Sequence, residues 1–139
     1  MIRVWVGVAA VGALWLAAGP SQPAETPGPG NWDAPAEAKQ LQNPVKTDPR
    51  TVERGERLYR QRCLPCHGRQ GEGNGNMAKQ LGYTPANLTL ERLSHQVDGE
   101  IFWKISKGKK PMPDFEKDLT ARERWDLVSY VRTLVKLVQ

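Results

Sequence analysis

The sequence predicts a mainly helical fold, because three segments combine helix-boundary residues with apolar positions at helical spacing. A first helix is expected after Asp48, since Asp favours the N-cap position and Pro49 favours the first helical turn. A last helix is expected after Thr120, which forms a capping-box pattern with the Glu three residues later. Between them, a third helix is expected to open at residues 98–100 and to stop at Gly108.

The first and last of these segments each carry one apolar stripe, as expected of helices that bury one face. In the first segment the stripe positions are Val52, Gly55, Leu58 and Tyr59. In the last segment they are Trp125, Leu127, Val128, Val131, Leu134 and Val135. The two stripes are expected to pack against each other. Gly55 lowers helix propensity by about 1 kcal/mol, which is reasonable where another helix crosses at close range.

Composition and charge are those of one globular domain with a basic surface. Of the 139 residues, 39% are hydrophobic and 25% are charged, and the formal net charge is +5. This charge predicts an anionic partner surface, such as an acidic protein. The basic residues are dispersed and no nucleic-acid-binding motif accompanies them, so nucleic acid is not the expected partner.

The N-terminal residues 1–24 are predicted to be a signal peptide or an N-terminal membrane anchor. Arg3 is followed by an apolar run over residues 4–18, about 15 residues, which is short for a bilayer span of about 20. Cleavage sites near Gly19 and Ala24 are weak, so an uncleaved anchor stays open. Either alternative predicts a periplasmic or otherwise exported domain.

Residues 25–47 are predicted to be a proline-rich linker or arm, and residues 48–139 to be the folded domain. Seven prolines occur in residues 20–49, both end residues included, and apolar periodicity is weak there. Trp32 and a short helix expected around residues 34–41 favour an arm docked on the domain. A disordered tether is the alternative.

The pentapeptide Cys63-Leu64-Pro65-Cys66-His67 predicts covalent attachment of one haem c. Thiols three positions apart can reach the two vinyl groups on one edge of the porphyrin and form thioether bonds. The adjacent His67 is then carried under the iron, where it can serve as proximal ligand.

Other interpretations of the two cysteines are weaker. A structural zinc site needs about four Cys or His ligands, and only His95 remains as a further soft partner. A redox dithiol belongs beside a strand-helix-strand unit, and no β-branched run precedes Cys63. A plain disulfide would leave His67 without a role.

The sequence resembles the class I cytochromes c from about residue 48 to residue 138. Gly55 and Tyr59 stand eight and four residues before Cys63, as in the N-terminal helix of that family. Leu127 and Tyr130 match the leucine and the aromatic residue of its C-terminal helix. The resemblance implies an all-α cytochrome c fold, with about four to five helices around one covalently attached haem. It also implies that the N- and C-terminal helices cross at Gly55, approached by Leu127 and Tyr130.

The segment after the haem motif predicts a loop and a second contact to His67. Residues 71–76 are too rich in glycine for a regular element, and no Lys-Ser/Thr follows them, so a phosphate-binding loop is not expected. The segment Pro85-Ala86-Asn87-Leu88 resembles the family segment whose proline carbonyl accepts a hydrogen bond from the proximal imidazole. That resemblance implies a bond from His67 to the Pro85 carbonyl, which would orient the ligand.

The sixth iron ligand is expected to be Met112, with Met77 and His95 as alternatives. Met112 stands between Pro111 and Pro113, which stiffen the loop that would carry the thioether. The same position matches the distal segment of the family. With Met112 chosen, the expected haem-binding residues are Cys63, Cys66, His67 and Met112, and the expected iron ligands are His67 and Met112.

Iron with both axial positions filled has no open site for a substrate, so the expected function is one-electron transfer and not catalysis. The expected protein is a periplasmic electron carrier with redox protein partners. A haem c subunit of a membrane-bound respiratory or oxidoreductase complex is an alternative, as is a haem enzyme or gas sensor with a displaceable distal ligand.

Four lysines near Met112 predict a basic docking surface for an acidic partner: Lys104, Lys107, Lys109 and Lys110.

Overall fold

A computed structural model describes residues 32–135, and this part of the chain is helical. Five α-helices occur there, which we number α1 (Pro49–Arg62), α2 (Leu64–His67), α3 (Asn76–Gln80), α4 (Asp98–Lys107) and α5 (Ala121–Leu134). Two short 3₁₀ helices lie at Ala36–Gln40 and Glu91–Leu93. No β-strand is found between residues 32 and 135. The all-α prediction is therefore confirmed.

The three long helices begin where the sequence predicts, and α4 also ends where it was expected to end. The carboxylate of Asp48 accepts a hydrogen bond of 2.8 Å from the Thr51 N–H, and this bond lowers the pKa of Asp48. Thr120 and Glu123 form the reciprocal capping box at the start of α5. Helix α4 ends before Gly108, whose φ of 58° is in the region that favours glycine.

Helices α1 and α5 cross in close contact at Gly55. A Cβ atom added to Gly55 would overlap the Asp126 carbonyl oxygen and would lie 2.8 Å from Cβ of Tyr130. The expected crossing is present, and Tyr130 approaches Gly55 as expected, while the atoms nearest to the added Cβ belong to the Asp126 carbonyl. The Leu127 side chain is fully buried.

The core fills the space between α1, α4 and α5. Tyr59, Leu127 and Val128 have no exposed surface, and the ring of Phe102 stacks on Trp125 with centroids 4.0 Å apart. The buried apolar cluster consists of Tyr59, Leu93, Ile101, Ile105, Phe115, Leu119, Trp125, Leu127, Val128 and Val131. This core holds one side of the domain together through side chains of the protein itself.

Polar side chains are also buried at the crossing, which the apolar stripes did not predict. The Arg54 guanidinium donates to the Asp126 carboxylate at 2.7 Å and 3.0 Å, and the Asp126 side chain is only 2% exposed. The hydrogen bond to this carboxylate raises the pKa of Arg54. A buried carboxylate requires such a partner, so Arg54 and Asp126 form one unit across the two helices.

Candidate functional site

The haem-attachment motif forms one tight turn directly after α1. The His67 N–H donates to the Cys63 carbonyl at 2.8 Å, and the Cys66 N–H donates to the same oxygen at 3.1 Å. Both cysteines are half-buried free thiols, and burial raises the pKa of Cys63 to about 12. The turn therefore holds the two thiols and the imidazole in a fixed relation to each other.

The imidazole of His67 is oriented by a backbone carbonyl of a distant loop. Its Nδ1 lies 3.0 Å from the carbonyl oxygen of Ala86, and because a carbonyl only accepts, Nδ1 carries the proton and Nε2 is left for a metal. Burial lowers the pKa of His67, which favours the neutral ring that can bind iron.

The Pro85 carbonyl was the expected hydrogen-bond acceptor for His67, and this prediction is wrong by one residue. The loop turns the Pro85 carbonyl towards Gly73, where an added Cβ would lie 2.6 Å from the oxygen. The carbonyl of the next residue, Ala86, then faces His67. The resemblance located the segment correctly, but the path of the loop through space selects the atom.

The glycine-rich segment wraps around the motif as a loop, as predicted, except that its last residue, Asn76, begins α3. The Gly73 N–H donates to the His67 carbonyl at 2.8 Å, and the Gly75 N–H donates to the Cys66 carbonyl at 3.0 Å. An added Cβ at Gly75 would overlap the Cys66 carbonyl, so glycine is needed for this close approach. The loop satisfies backbone groups of the attachment turn.

Tyr59 joins the helix crossing to the attachment turn, a role that sequence reasoning did not assign. Its hydroxyl donates to the Gly68 carbonyl at 2.8 Å, directly after His67. Its ring packs against Tyr130 of α5, with centroids 5.1 Å apart. Burial raises the pKa of Tyr59, so the hydroxyl stays protonated as a donor. The sequence signal for this role was the position of Tyr59, four residues before Cys63.

All four expected haem-binding residues lie on one cavity of about 390 Å³. Cys63, Cys66 and His67 reach it from the attachment turn, and Met112 reaches it from the loop between α4 and α5. Apolar side chains supply much of the remaining wall, among them Leu88, Ile101, Ile105, Phe115, Leu127 and Val131. The cavity is therefore an apolar site with two thiols, one imidazole and one thioether.

The two alternative sixth ligands do not line this cavity. Met77 is 47% exposed and lies in a separate shallow depression beside Leu64 and Pro65. His95 is exposed in the turn before α4. Among the described residues, Met112 is thus the methionine that shares the cavity with His67.

Basic side chains surround the cavity, although Lys104 and Lys107 of the predicted lysines also contact other side chains. Lys104 donates to Gln96 at 2.6 Å, and burial lowers its pKa. Lys107 pairs with Glu116 at 2.6 Å and does not line the cavity. The basic residues that line it are Arg62, Arg92, Lys104, Lys109 and Lys110.

This set of groups fits haem c. Two thiols can form thioether bonds, an imidazole and a thioether can bind iron, and apolar walls can enclose the porphyrin. The basic side chains suit the two carboxylates that haem carries. No group of three or more His, Cys, Asp or Glu side chains arranged to hold a metal ion occurs in residues 32–135.

The predicted signal peptide or anchor over residues 1–24 lies outside the described residues. Within residues 32–135, none of the helices has the length and the apolar character needed to cross a membrane.

The sequence matches a family model over residues 50–131, and the description of that family is "Cytochrome C oxidase, cbb3-type, subunit III". One curated relative is the cytochrome bc1 complex cytochrome c subunit of Corynebacterium diphtheriae, 31% identical over 62% of this chain and 28% of that protein. Another is the quinohemoprotein alcohol dehydrogenase of Comamonas testosteroni, 33% identical over 67% of this chain and 12% of that protein. The chain therefore spans less than a third of the length of either relative.

Two solved structures resemble the described fold. The reducing HAO-like protein complex of Kuenenia stuttgartiensis contains a chain that is 27% identical, with a TM-score of 0.58, over 69% of this chain and 50% of that one. The KustC0563 c-type cytochrome is 30% identical, with a TM-score of 0.51, over 59% of this chain and 98% of that one. The family match, the relatives and the cavity geometry agree, and the chain belongs to the cytochrome c family described as cytochrome c oxidase, cbb3-type, subunit III, with covalently bound haem c as its cofactor.

Proposed function

We propose that this chain transfers single electrons through a haem c held by thioether bonds to Cys63 and Cys66, with His67 and Met112 as axial iron ligands. The observation that carries the proposal is the one cavity that these four side chains share. Bound haem c supplies reversible one-electron chemistry between Fe(III) and Fe(II). With both axial positions filled, the site has no open coordination position for a substrate, which favours electron transfer over catalysis.

The protein holds the two axial side chains by different means. The Ala86 carbonyl fixes the rotation of the His67 ring and strengthens donation from Nε2. Met112 stands between two prolines, and its N–H donates to the Lys109 carbonyl at 2.8 Å. The Phe115 N–H donates to the Ile105 carbonyl at 3.3 Å and ties the same loop to α4. A loop fixed at both ends keeps the thioether in place as the iron changes charge.

The substitution Met112→Ala tests the ligand assignment. The thioether bonds do not depend on Met112, so haem should stay attached while the weak near-red absorption of ferric methionine-ligated haem disappears. Met77→Ala is the matched control and should leave that band unchanged. Survival of the band in Met112→Ala, together with its loss in Met77→Ala, would overturn the assignment.

A haem enzyme or gas sensor would instead need a distal ligand that is easily displaced. The ferrous wild-type protein should bind carbon monoxide poorly at neutral pH, whereas ferrous Met112→Ala should bind it readily. Ready binding by the wild-type protein would favour the enzyme or sensor.

Membership in a multi-protein redox complex is a second candidate, and the comparisons favour it over a free periplasmic carrier. One relative is named as a subunit of a bc1 complex, and one similar structure is a complex. The test is the native size of the haem-containing species in membranes after salt washing and mild solubilisation. Migration with a larger assembly supports a subunit, and recovery as a soluble monomer from the periplasm supports the exported carrier.

Exposed positive charges at the cavity support the expectation that the redox partner docks through an acidic surface. Lys110, Arg62 and Arg92 are exposed there, so they can act on an approaching anion. Lys110→Glu should slow oxidation by anionic ferricyanide and speed oxidation by a cationic cobalt phenanthroline complex. Both effects should shrink as salt shortens the Debye length to about 8 Å and below.

Lys79→Glu, on α3 and away from the cavity lining, makes the same change in net charge. It should have a smaller effect than Lys110→Glu. Equal effects of the two variants would mean that net charge, not the charge at the cavity, sets the rate.

A further inference from the structure

The segment before α1 is docked on the domain, over residues that the family match does not include. The match covers residues 50–131, whereas residues 32–47 precede it. Within this segment Ala34 and Ala38 are 7% and 1% exposed. Burial of two alanines, whose side chains are only methyl groups, shows that the backbone of this segment lies directly on the domain.

Gly99 of α4 is the point where this segment docks. A Cβ atom added to Gly99 would overlap the Ala38 carbonyl and lie 2.8 Å from the Leu41 carbonyl. Both obstacles are backbone atoms, which cannot rotate away as a flexible side chain can. The segment and α4 therefore fit together only because residue 99 lacks a side chain.

Polar contacts fix the rest of the segment along the domain. The Lys39 ammonium lies 4.0 Å from the Glu100 carboxylate, and the Asn43 amide donates to Asp98 at 3.4 Å. The hydroxyls of Thr47 and Ser129 lie 3.3 Å apart. These contacts are individually weak, but they are distributed from residue 39 to residue 47 and define one path.

The start of the segment reaches the haem cavity. Trp32 and Asp33 line it together with Cys63, Cys66, His67 and Met112. The Trp32 ring is held by Trp103 of α4, with centroids 6.2 Å apart and planes tilted by 58°. All other described lining residues fall between residues 59 and 131, so Trp32 and Asp33 are additions from outside the family segment.

We propose that residues 32–47 form a strap that closes one side of the haem site, and that Trp32 is the strap residue that excludes water from the cofactor. Ferric haem carries one more positive charge than ferrous haem, so water near the cofactor stabilises the ferric form. A large apolar ring in place of water favours the ferrous form and raises the reduction potential. The proposal rests on the proposed function only in that haem occupies this cavity.

Two substitutions in the full-length holoprotein test the strap from both sides of its contact. Trp32→Ala removes the ring without changing the core between α1 and α5, and Gly99→Ala displaces the strap while Trp32 stays in the sequence. Both should lower the midpoint potential in an optical redox titration, and both should speed the binding of imidazole to the ferric protein. Trp32→Phe should keep most of the wild-type behaviour.

Glu37→Ala is the matched control, because this exposed side chain lies in the same strap and does not line the cavity. It should match the wild type in both measurements. A tenfold change in the ratio of ferric to ferrous protein corresponds to a shift of 59 mV in the midpoint potential of a one-electron couple. A redox titration can readily resolve a shift of that size.

Trp32→Ala with the midpoint potential and imidazole-binding rate of the wild type would overturn the strap proposal. The near-red band, recorded on the same samples, separates this failure from a failure of the proposed ligands. The band should survive in Trp32→Ala and Gly99→Ala, since neither residue is a proposed iron ligand. A lowered potential with the band intact supports the strap specifically.

Discussion

The crossing of α1 and α5 and the haem cavity lie next to each other, but they are stabilised in different ways. At the crossing, protein packs on protein: Tyr59, Leu127 and Val128 are fully buried, and a buried carboxylate at Asp126 is matched by Arg54. At the cavity, His67 and Met112 are only half-buried, and they border a space of about 390 Å³. The crossing is complete within the polypeptide, whereas the cavity needs its cofactor.

The difference separates stability from redox properties. Substitutions at the crossing should change the free energy of unfolding and leave the haem spectrum intact. Substitutions of cavity side chains that leave the haem attached should change the spectrum or the potential. Tyr59 belongs to both regions, because its ring packs at the crossing while its hydroxyl supports the turn after His67.

Loss of covalent haem should have the largest effect on folding, because the cavity, unlike the crossing, is not filled by the polypeptide itself. Without haem, the apolar side chains that line the cavity would be exposed to water, and a typical domain is stable by only roughly 5–15 kcal/mol. The double variant Cys63→Ala/Cys66→Ala should therefore yield little folded protein.

Haem staining after denaturing electrophoresis, combined with far-ultraviolet circular dichroism, measures this outcome. Staining should be lost and helicity strongly reduced. A fully helical, cooperatively unfolding protein without haem would show that the crossing alone supports the fold, and the contrast between the two regions would then be sharper than proposed.

Gly55→Leu should have the next largest effect, acting on the crossing alone. The added side chain meets the Asp126 carbonyl and Tyr130, so overpacking should cost about 3 kcal/mol or more. Thermal unfolding should shift to lower temperature, while the near-red band should persist in the protein that still folds. Gln61→Leu, at an exposed position of the same helix, should be close to neutral. Equal stability of Gly55→Leu and wild type would contradict the close crossing.

Tyr59→Phe tests the residue that the two regions share, and a smaller effect is expected. Removal of the hydroxyl leaves the buried Gly68 carbonyl with only the longer hydrogen bond from the Gly71 N–H at 3.2 Å, which should cost about 1 kcal/mol. The free energy of unfolding in denaturant is the measurement. Tyr130→Phe is the matched control in the same aromatic pair and should be nearly neutral. A larger loss for Tyr130→Phe than for Tyr59→Phe would refute the role of the Tyr59 hydroxyl.

Asp48→Ala should have the smallest effect, and its effect should depend on pH. The pKa of Asp48 is lowered in the folded protein by the Thr51 N–H. Its contribution is therefore present at pH values above the ordinary value of 3.8 and is lost as pH falls through the lower folded-state pKa. Wild type and Asp48→Ala should differ slightly in thermal midpoint at pH 7 and converge in acid.

Asp118→Ala is the control for that measurement, because this exposed carboxylate lies two residues before Thr120 and is not itself a helix cap. It should not show the same convergence. A gap between wild type and Asp48→Ala that stays constant from pH 7 into acid would mean that the charge of Asp48 plays no part in the cap.

The sequence by itself determined the features that depend on a few neighbouring residues. Asp48 and Thr120 mark helix starts because a cap needs only its own first turn. The Cys63–His67 motif marks haem attachment because its three reactive groups lie within five positions. Met112 was expected as a ligand because two adjacent prolines stiffen its loop, and the ligand role itself stays a prediction.

Only the tertiary structure decided which distant atoms meet. The Ala86 carbonyl, and not the Pro85 carbonyl, accepts the hydrogen bond from Nδ1 of His67, because the path of a loop decides which carbonyl faces the ring. Asp126 can be buried beside Gly55 because its carboxylate pairs with the guanidinium of Arg54 on another helix. Apolar periodicity does not detect such a pairing. Trp32 reaches the cavity because Gly99, 67 residues further along the chain, leaves room for the strap. Such contacts join residues far apart in sequence, and local patterns carry no information about them.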